Sequence, residues 1–172
     1  MIGAMSSITL PRSIVLIFIA LLAYSALTAT SEAQMLPTPY GMAISLDNAK
    51  KAAAPALAEA RKNNWAMAVA IVDTAGNLVY FEKMDETQTG SVAVAIAKAR
   101  SAALFKRPTK AFQDTLAAGG EGLRILKLEN AVAVDGGVPL VMDGKIVGAI
   151  GLSGGTSQQD GQCAQAGANA LK

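Results

Sequence analysis

Two hairpin signals set far apart constrain this fold more than any other feature of the chain. Between the apolar segments 138–142 and 145–152 stands Asp143-Gly144, a dipeptide suited to the two-residue turn that joins antiparallel strands. Residues 66–73 form another short apolar run carrying Val and Ile, ended by Thr74-Ala75-Gly76-Asn77, and 78–83 resumes with Val79, Tyr80 and Phe81. A further apolar segment, 131–134, precedes the second hairpin. Hairpin-linked strands pair antiparallel, whereas a doubly wound parallel sheet needs a helix after every strand. The chain is therefore expected to be α+β, with a single mainly antiparallel five-stranded sheet packed with helices in two layers.

The helical stretches lie around and between these hairpins. Residues 45–63 place Leu46, Ala49, Ala53, Leu57 and Ala60 at three- and four-residue spacing behind Ser45, a suitable N-cap. Residues 91–105 are Ala-rich without Gly or Pro, and predict a largely buried helix despite the alternation of Val92, Val94 and Ile96. Pro108 ends that helix and Thr109 is read as the cap of the next, which Gly119, Gly120 and Gly122 interrupt. Gly154-Gly155-Thr156-Ser157 opens a last helix from about residue 158 to 171.

Ahead of all this, Arg12 precedes an apolar run at 14–27, and Ser31-Glu32-Ala33 places small residues at the positions a signal peptidase reads before Gln34. The run is too short for a spanning helix of about 20 apolar residues. Residues 1–33 are thus expected to be a secretory signal peptide, 34–44 an N-terminal lead, and 45–172 the domain, which is periplasmic or secreted and leaves no membrane segment after cleavage. Removing the leader takes one basic and one acidic residue and leaves the formal charge at +2. That charge, with no long basic run, argues against nucleic acid as a partner. A lone cysteine, Cys163, allows no internal disulfide and reads as a buried apolar residue or as a free thiol. The chain has no histidine, which excludes Ser-His-Asp and Cys-His catalysis and every His-ligated zinc, iron or haem.

The motifs Ala70-Ile71-Val72-Asp73 with Gly76-Asn77-Leu78, Ile96-Ala97-Lys98-Ala99-Arg100-Ser101-Ala102, Phe105-Lys106-Arg107-Pro108-Thr109, Gly136-Gly137-Val138-Pro139, Val147-Gly148-Ala149-Ile150-Gly151-Leu152-Ser153-Gly154 and Thr156-Ser157-Gln158-Gln159-Asp160 follow one another in order and spacing. In these the chain resembles the GlcG/HbpS family of haem-binding-like proteins, which also takes in the C-terminal domain of the PduO corrinoid enzymes. The resemblance implies a profilin-like or sensor-like domain, homo-oligomers from dimers to rings, and haem binding in some members. Those that hold haem iron use a His or a hydroxyl side chain, and here alignment sets Ala131 where the hydroxyl stands. Met, Tyr or no protein ligand then remains for the iron. The helix 91–105 carries no Asp or Glu, so it builds no di-carboxylate iron site.

Lys98, Arg100, Lys106, Arg107 and Lys110 form the densest basic region, suited to the carboxylates of a planar anionic ligand such as haem. The competing account pairs them with Asp85, Glu86, Asp114 or Glu121 across a subunit contact. Gly154, Gly155 and Thr156 offer helix N-terminal amides to a small anion, or form a plain cap with Gln159 or Asp160. The candidate ligand-binding set is Lys98, Arg100, Arg107, Thr109, Gly154, Gly155 and Thr156, with no catalytic and no metal-binding residue. Gly148 to Gly151 lacks the Lys of a nucleotide loop. Asp73 and Asp85 offer an acid/base pair, although Asp73 reads more simply as a turn residue. Trp65, Met67, Tyr80 and Phe81 read as core. The sum is an exported, non-catalytic binding protein with haem the favoured ligand. The alternatives are an enzyme acting on haem or a small hydroxy acid through Asp73 or Lys98, and a ligand-free assembly or sensor partner.

Overall fold

A computed structural model describes residues 38–171. The leader, its cleavage point and residues 34–37 of the lead lie outside the described residues. Helix α1 (Leu46–Lys62) starts where Ser45 turns extended and its Oγ accepts the Asn48 N–H at 3.3 Å. Asp47 in its first turn and Arg61 and Lys62 in its last complement the helix dipole. Ala49, Ala52, Ala53, Ala56, Leu57 and Ala60 form the buried stripe. Leu46, expected in that stripe, is half exposed in the first turn, so the packed face begins one turn later.

Strands β1 (Ala68–Asp73) and β2 (Leu78–Lys83) are joined by a turn that Asp73 closes, its Oδ1 accepting the Ala75 and Asn77 N–H groups at 2.9 Å each. Strands β3 (Gly137–Met142) and β4 (Lys145–Ser153) meet at Asp143 and Gly144, whose φ values of 48° and 71° are those the Asp-Gly signal requires. The sheet runs β2-β1-β4-β3 with every neighbouring pair antiparallel. It has four strands, not five. Segment 131–134 forms no strand: Ala131 N–H donates to Leu128 O at 3.1 Å and Val132 N–H to Ser101 Oγ of the helix at 91–105 at 3.0 Å, so these donors are spent away from any sheet. Where β4 outruns β1, the lead pairs with it instead. Gly41 N–H donates to Ile146 O, Ile146 N–H to Pro39 O and Ile44 N–H to Val147 O, all at 2.8 Å.

The two central strands are buried on both faces, and the faces differ in size of side chain. Val69, Ile71, Leu140, Ile150 and Leu152 pack under α1 and the last helix, α4 (Ser157–Asn169). Ala68, Ala70, Val72 and Ala149 pack under Ala95, Ala99, Ala102 and Ala103 of α2 (Ser91–Phe105). Helices therefore cover both faces, and the arrangement has three layers where two were expected. Small residues bring α2 very close: a Cβ on Gly151 would run into the Ala95 carbonyl and the Ala99 backbone. Helix α3 (Thr109–Ala117) and a 3₁₀ segment, Gly120–Lys127, continue from the end of α2. Pro108, not Thr109, occupies the N-cap of α3. Among the described residues, no helix is long and apolar enough to cross a membrane.

Candidate functional site

Helix α2 is apolar almost all round, yet it carries Lys98 inward. The Lys98 ammonium donates to Asp160 Oδ2 at 2.7 Å and to the Leu152 carbonyl at 3.2 Å, with the two side chains 1% and 4% exposed. The other Asp160 oxygen accepts the Gly155 N–H at 3.0 Å. One carboxylate thus ties α2, the end of β4 and the start of α4 together. Burial raises the Asp160 pKa above its ordinary value, against the lowering by Lys98 and by the amides of Gly155 and Gly154. The loop into β3 passes directly over this pair, and only glycine fits there. Gly136 has φ 123°, and a Cβ on it would lie 2.8 Å from the Leu152 oxygen and 2.9 Å from Lys98 Nζ. Beside it, Gly137 N–H donates to Thr109 Oγ1 at 2.9 Å, and Thr109 is fully buried.

This geometry settles how several candidate residues are used within the chain. Lys98 and Thr109 are sealed from solvent. The Gly155 amide is taken by Asp160, while Thr156 and Gln159 form a reciprocal capping box: Gln159 N–H donates to Thr156 Oγ1 at 3.3 Å and Thr156 N–H to Gln159 Oε1 at 2.9 Å. The start of α4 already holds an anion, the chain's own Asp160. The partner of Lys98 is none of the acidic residues proposed for it, nor is a subunit contact needed. Lys110 pairs with Asp114 at 2.6 Å within α3, and Arg124 with Glu121 at 3.1 Å in the 3₁₀ segment.

The exposed cations gather along α2 and past its C-terminal end. Arg100 donates from Nε to the Gly76 carbonyl at 3.1 Å, bracing the β1–β2 turn. Six residues on, about 9 Å at 1.5 Å per residue, Lys106 takes a left-handed conformation (φ 54°) and ends the helix. Arg107 then donates from Nε to Phe105 O at 3.1 Å, its guanidinium 5.5 Å from the centre of the Phe112 ring. Phe105 and Phe112 meet edge to face at 5.3 Å. On the other side, Lys106 Nζ sits 4.2 Å over the Tyr40 ring. The Tyr40 hydroxyl donates to the carbonyls of Ala103 and Leu104 at 2.7 and 3.1 Å, satisfying acceptors that the last helical turn leaves open. An open groove of about 280 Å³ lies alongside, lined in part by Thr38, Lys106, Pro108, Pro139 and Gln165. Arg100 and Arg107 are thus the members of the candidate set whose charged ends face solvent. Tyr40, 40% exposed, completes this surface, with the buried Phe112 ring packed beneath Arg107; neither was anticipated, since neither stands in a motif, and Tyr40 reaches α2 from 63 residues away.

Other candidate chemistry is consumed internally. Burial pushes Asp73 up, but hydrogen bonds from Asn77, Ala75 and Gly76 outweigh it and hold the carboxyl below its ordinary value. Cys163 is buried, and desolvation, followed by the charges of Glu59 and Asp160, pushes its thiol up to about 12. Among the described residues, no group of three or more His, Cys, Asp or Glu side chains is placed to hold a metal ion. Apolar side chains remain exposed on α2, the 3₁₀ segment and the loop after it: Val94, Leu104, Leu123, Leu126, Leu128 and Val134.

Comparison with known proteins places these features in a family. Residues 44–169 match the family described as haem degrading protein HbpS-like. The protein GlcG of Escherichia coli K12 is 37% identical over 95 residues, which cover 55% of this chain and 69% of GlcG. A crystal structure of a Streptomyces reticuli HbpS double mutant superposes with TM-score 0.70 at 28% identity, covering 83% of this chain and 95% of that one. The crystal structure of a PduOC:Heme complex does so with TM-score 0.68 at 27% identity, covering 76% and 96%. The fold, the matched span and these relatives agree: the chain belongs to the HbpS-like family.

Proposed function

We propose that the chain is an exported, non-catalytic binding protein for a small planar anion, with haem the favoured ligand, taken at the cationic and aromatic end of α2. The observation that carries this reading is the exposure of Arg100 on α2 and of Arg107 just past its end, with the exposed Tyr40 ring under Lys106 between α2 and the lead, in a chain that is similar to a solved haem complex. Arginine suits paired carboxylates because its planar fork donates two parallel hydrogen bonds, and it stacks on rings. The donor set fits the edge and face of a porphyrin better than its metal: the chain has no His, and Cys163 is buried with a thiol that stays protonated. The non-catalytic part of the reading is supported by the fate of the two residues an enzyme would draw on, since Asp73 is tied into its turn and Lys98 into its ion pair. The exposed apolar residues of α2 and the segment 123–134 support a homo-oligomer, because monomers rarely expose large apolar patches. Titration of the mature protein with haemin, followed in the Soret region, tests the ligand. A saturable shift is expected, and its absence at concentrations up to about 100 μM, a binding free energy near −5.5 kcal/mol, would remove haem from the reading.

A further inference from the structure

Resting on the homo-oligomer of that reading, we infer that two copies of the chain pair through the outer edge of β2, joining their sheets antiparallel across a two-fold axis. The two edge strands, β2 and β3, differ in what they offer another strand. Leu152 N–H donates to Gly136 O at 2.9 Å, so Gly136 faces β4, and by alternation Gly137 and Pro139 turn their backbone groups outward. Gly137 spends its N–H on Thr109 Oγ1 at 2.9 Å, and Pro139 has none to give. Proline on an outer edge blocks the addition of a strand. The β3 edge is thus closed.

No such block stands on β2. Met84 N–H donates to Met67 O at 3.0 Å just past its end, so Met84 faces inward, and by alternation the N–H and C=O groups of Phe81 and Lys83 point away from β1. Among the described residues, neither of these N–H groups has an acceptor. The side chains match an edge left open: Leu78 is exposed, and Val79, Tyr80 and Phe81 are half-buried. These are residues suited to a sheet with neighbours on both sides.

A second copy is the occupant that this edge fits. Turned through a two-fold axis, an antiparallel edge presents its own outward C=O groups to its own outward N–H groups, so it is its own complement. With the axis at Phe81, that residue pairs with its equivalent in the second copy, Lys83 with Val79, and Glu82 with Tyr80. No like charges then stand opposite one another. An axis at Glu82 or Lys83 would oppose two carboxylates or two ammonium groups, which destabilises a strand pair. The closed β3 edge bars head-to-tail addition of β2 to β3, so growth along the sheet stops at two copies. Two four-stranded sheets become one of eight, with a blunt β3 at each end.

The test is residue-resolved hydrogen exchange on the mature wild-type protein, alongside light scattering, followed by a Lys83→Pro variant. An assembly of two copies or more is expected, in which the Phe81 and Lys83 amides exchange at least about tenfold more slowly than in an unstructured chain. Lys83→Pro gives β2 the blunt edge that Pro139 gives β3, and costs no hydrogen bond to β1 because that N–H faces away. It should weaken assembly about tenfold, with circular dichroism unchanged, since symmetry removes two interface hydrogen bonds at once. Should the variant not fold, exchange in the wild type decides. An assembly whose Phe81 and Lys83 amides exchange freely overturns the inference and keeps the homo-oligomer, as does a folded Lys83→Pro protein that assembles like wild type. A monomer overturns both, whether or not these amides are protected, and leaves ligand binding to its own titration.

Discussion

Replacing Lys98 by Met removes the only cation facing a buried carboxylate among the described residues. The aliphatic stem is kept, so packing against β4 changes little. What changes is the state of Asp160, 4% exposed, which keeps the Gly155 N–H at 3.0 Å and loses an ammonium at 2.7 Å. Breaking one partner out of a buried ion pair typically costs about 3–5 kcal/mol, because the remaining charge is neither hydrated nor paired. For a domain of this size that corresponds to a fall in Tm of roughly 10–20 °C. Adding Asp160→Asn on the Lys98→Met background keeps an oxygen for the Gly155 N–H and removes the stranded charge, so at least half of the loss should return. The pH dependence carries a definite sign. Burial already raises the Asp160 pKa, and the Lys98 hydrogen bond and charge are among the influences that lower it. With Lys98 gone the folded-state pKa climbs further above the unfolded one, the folded state binds the proton more tightly, and the deficit of Lys98→Met should shrink as pH falls from about 8 to about 5. Thermal and urea unfolding followed by circular dichroism measure all three quantities. A loss under about 1 kcal/mol for Lys98→Met, or a deficit that grows on acidification, would refute the reasoning.

Gly136→Ala should destabilise the fold by about 2 kcal/mol or more, since it combines a left-handed φ with a Cβ 2.8 Å from a carbonyl oxygen; urea unfolding would check it. Light scattering on the purified mature protein should return at least twice the chain mass at micromolar concentration, and a monomer would contradict the homo-oligomer. Mass spectrometry of protein recovered from the cell envelope should find an N-terminus near Gln34, and an intact Met1 would contradict export with cleavage.

Features whose physics is local were legible in the sequence. The Ser45 cap, the Thr156–Gln159 capping box, the Asp73 turn and the Asp143-Gly144 hairpin each act over five residues or fewer, and each stands where composition placed it. The buried helix at 91–105 was legible too, because its Ala content outweighs the alternation of Val92, Val94 and Ile96. What escaped depends on distant partners. Segment 131–134 has the composition of a strand, but the Val132 donor is claimed by Ser101, 31 residues away. Lys98 meets an acid 62 residues further along, and nothing near Asp160 marks it as a buried anion when it equally suits a capping role. The third layer escaped for a related reason: Ala68, Ala70 and Ala149 are small enough to look like spacing between larger core residues, yet they form the floor on which α2 lies.

Where the ligand sits is the most direct test of the proposed function. The measurement is haemin affinity in an Arg100→Gln/Arg107→Gln variant whose circular dichroism matches wild type. Each exchange removes a charge-assisted donor, and solvent exposure reduces what each contributes, so a combined loss of about tenfold is predicted. An affinity unchanged within error, with the fold intact, would contradict the placement of the site at the cationic end of α2.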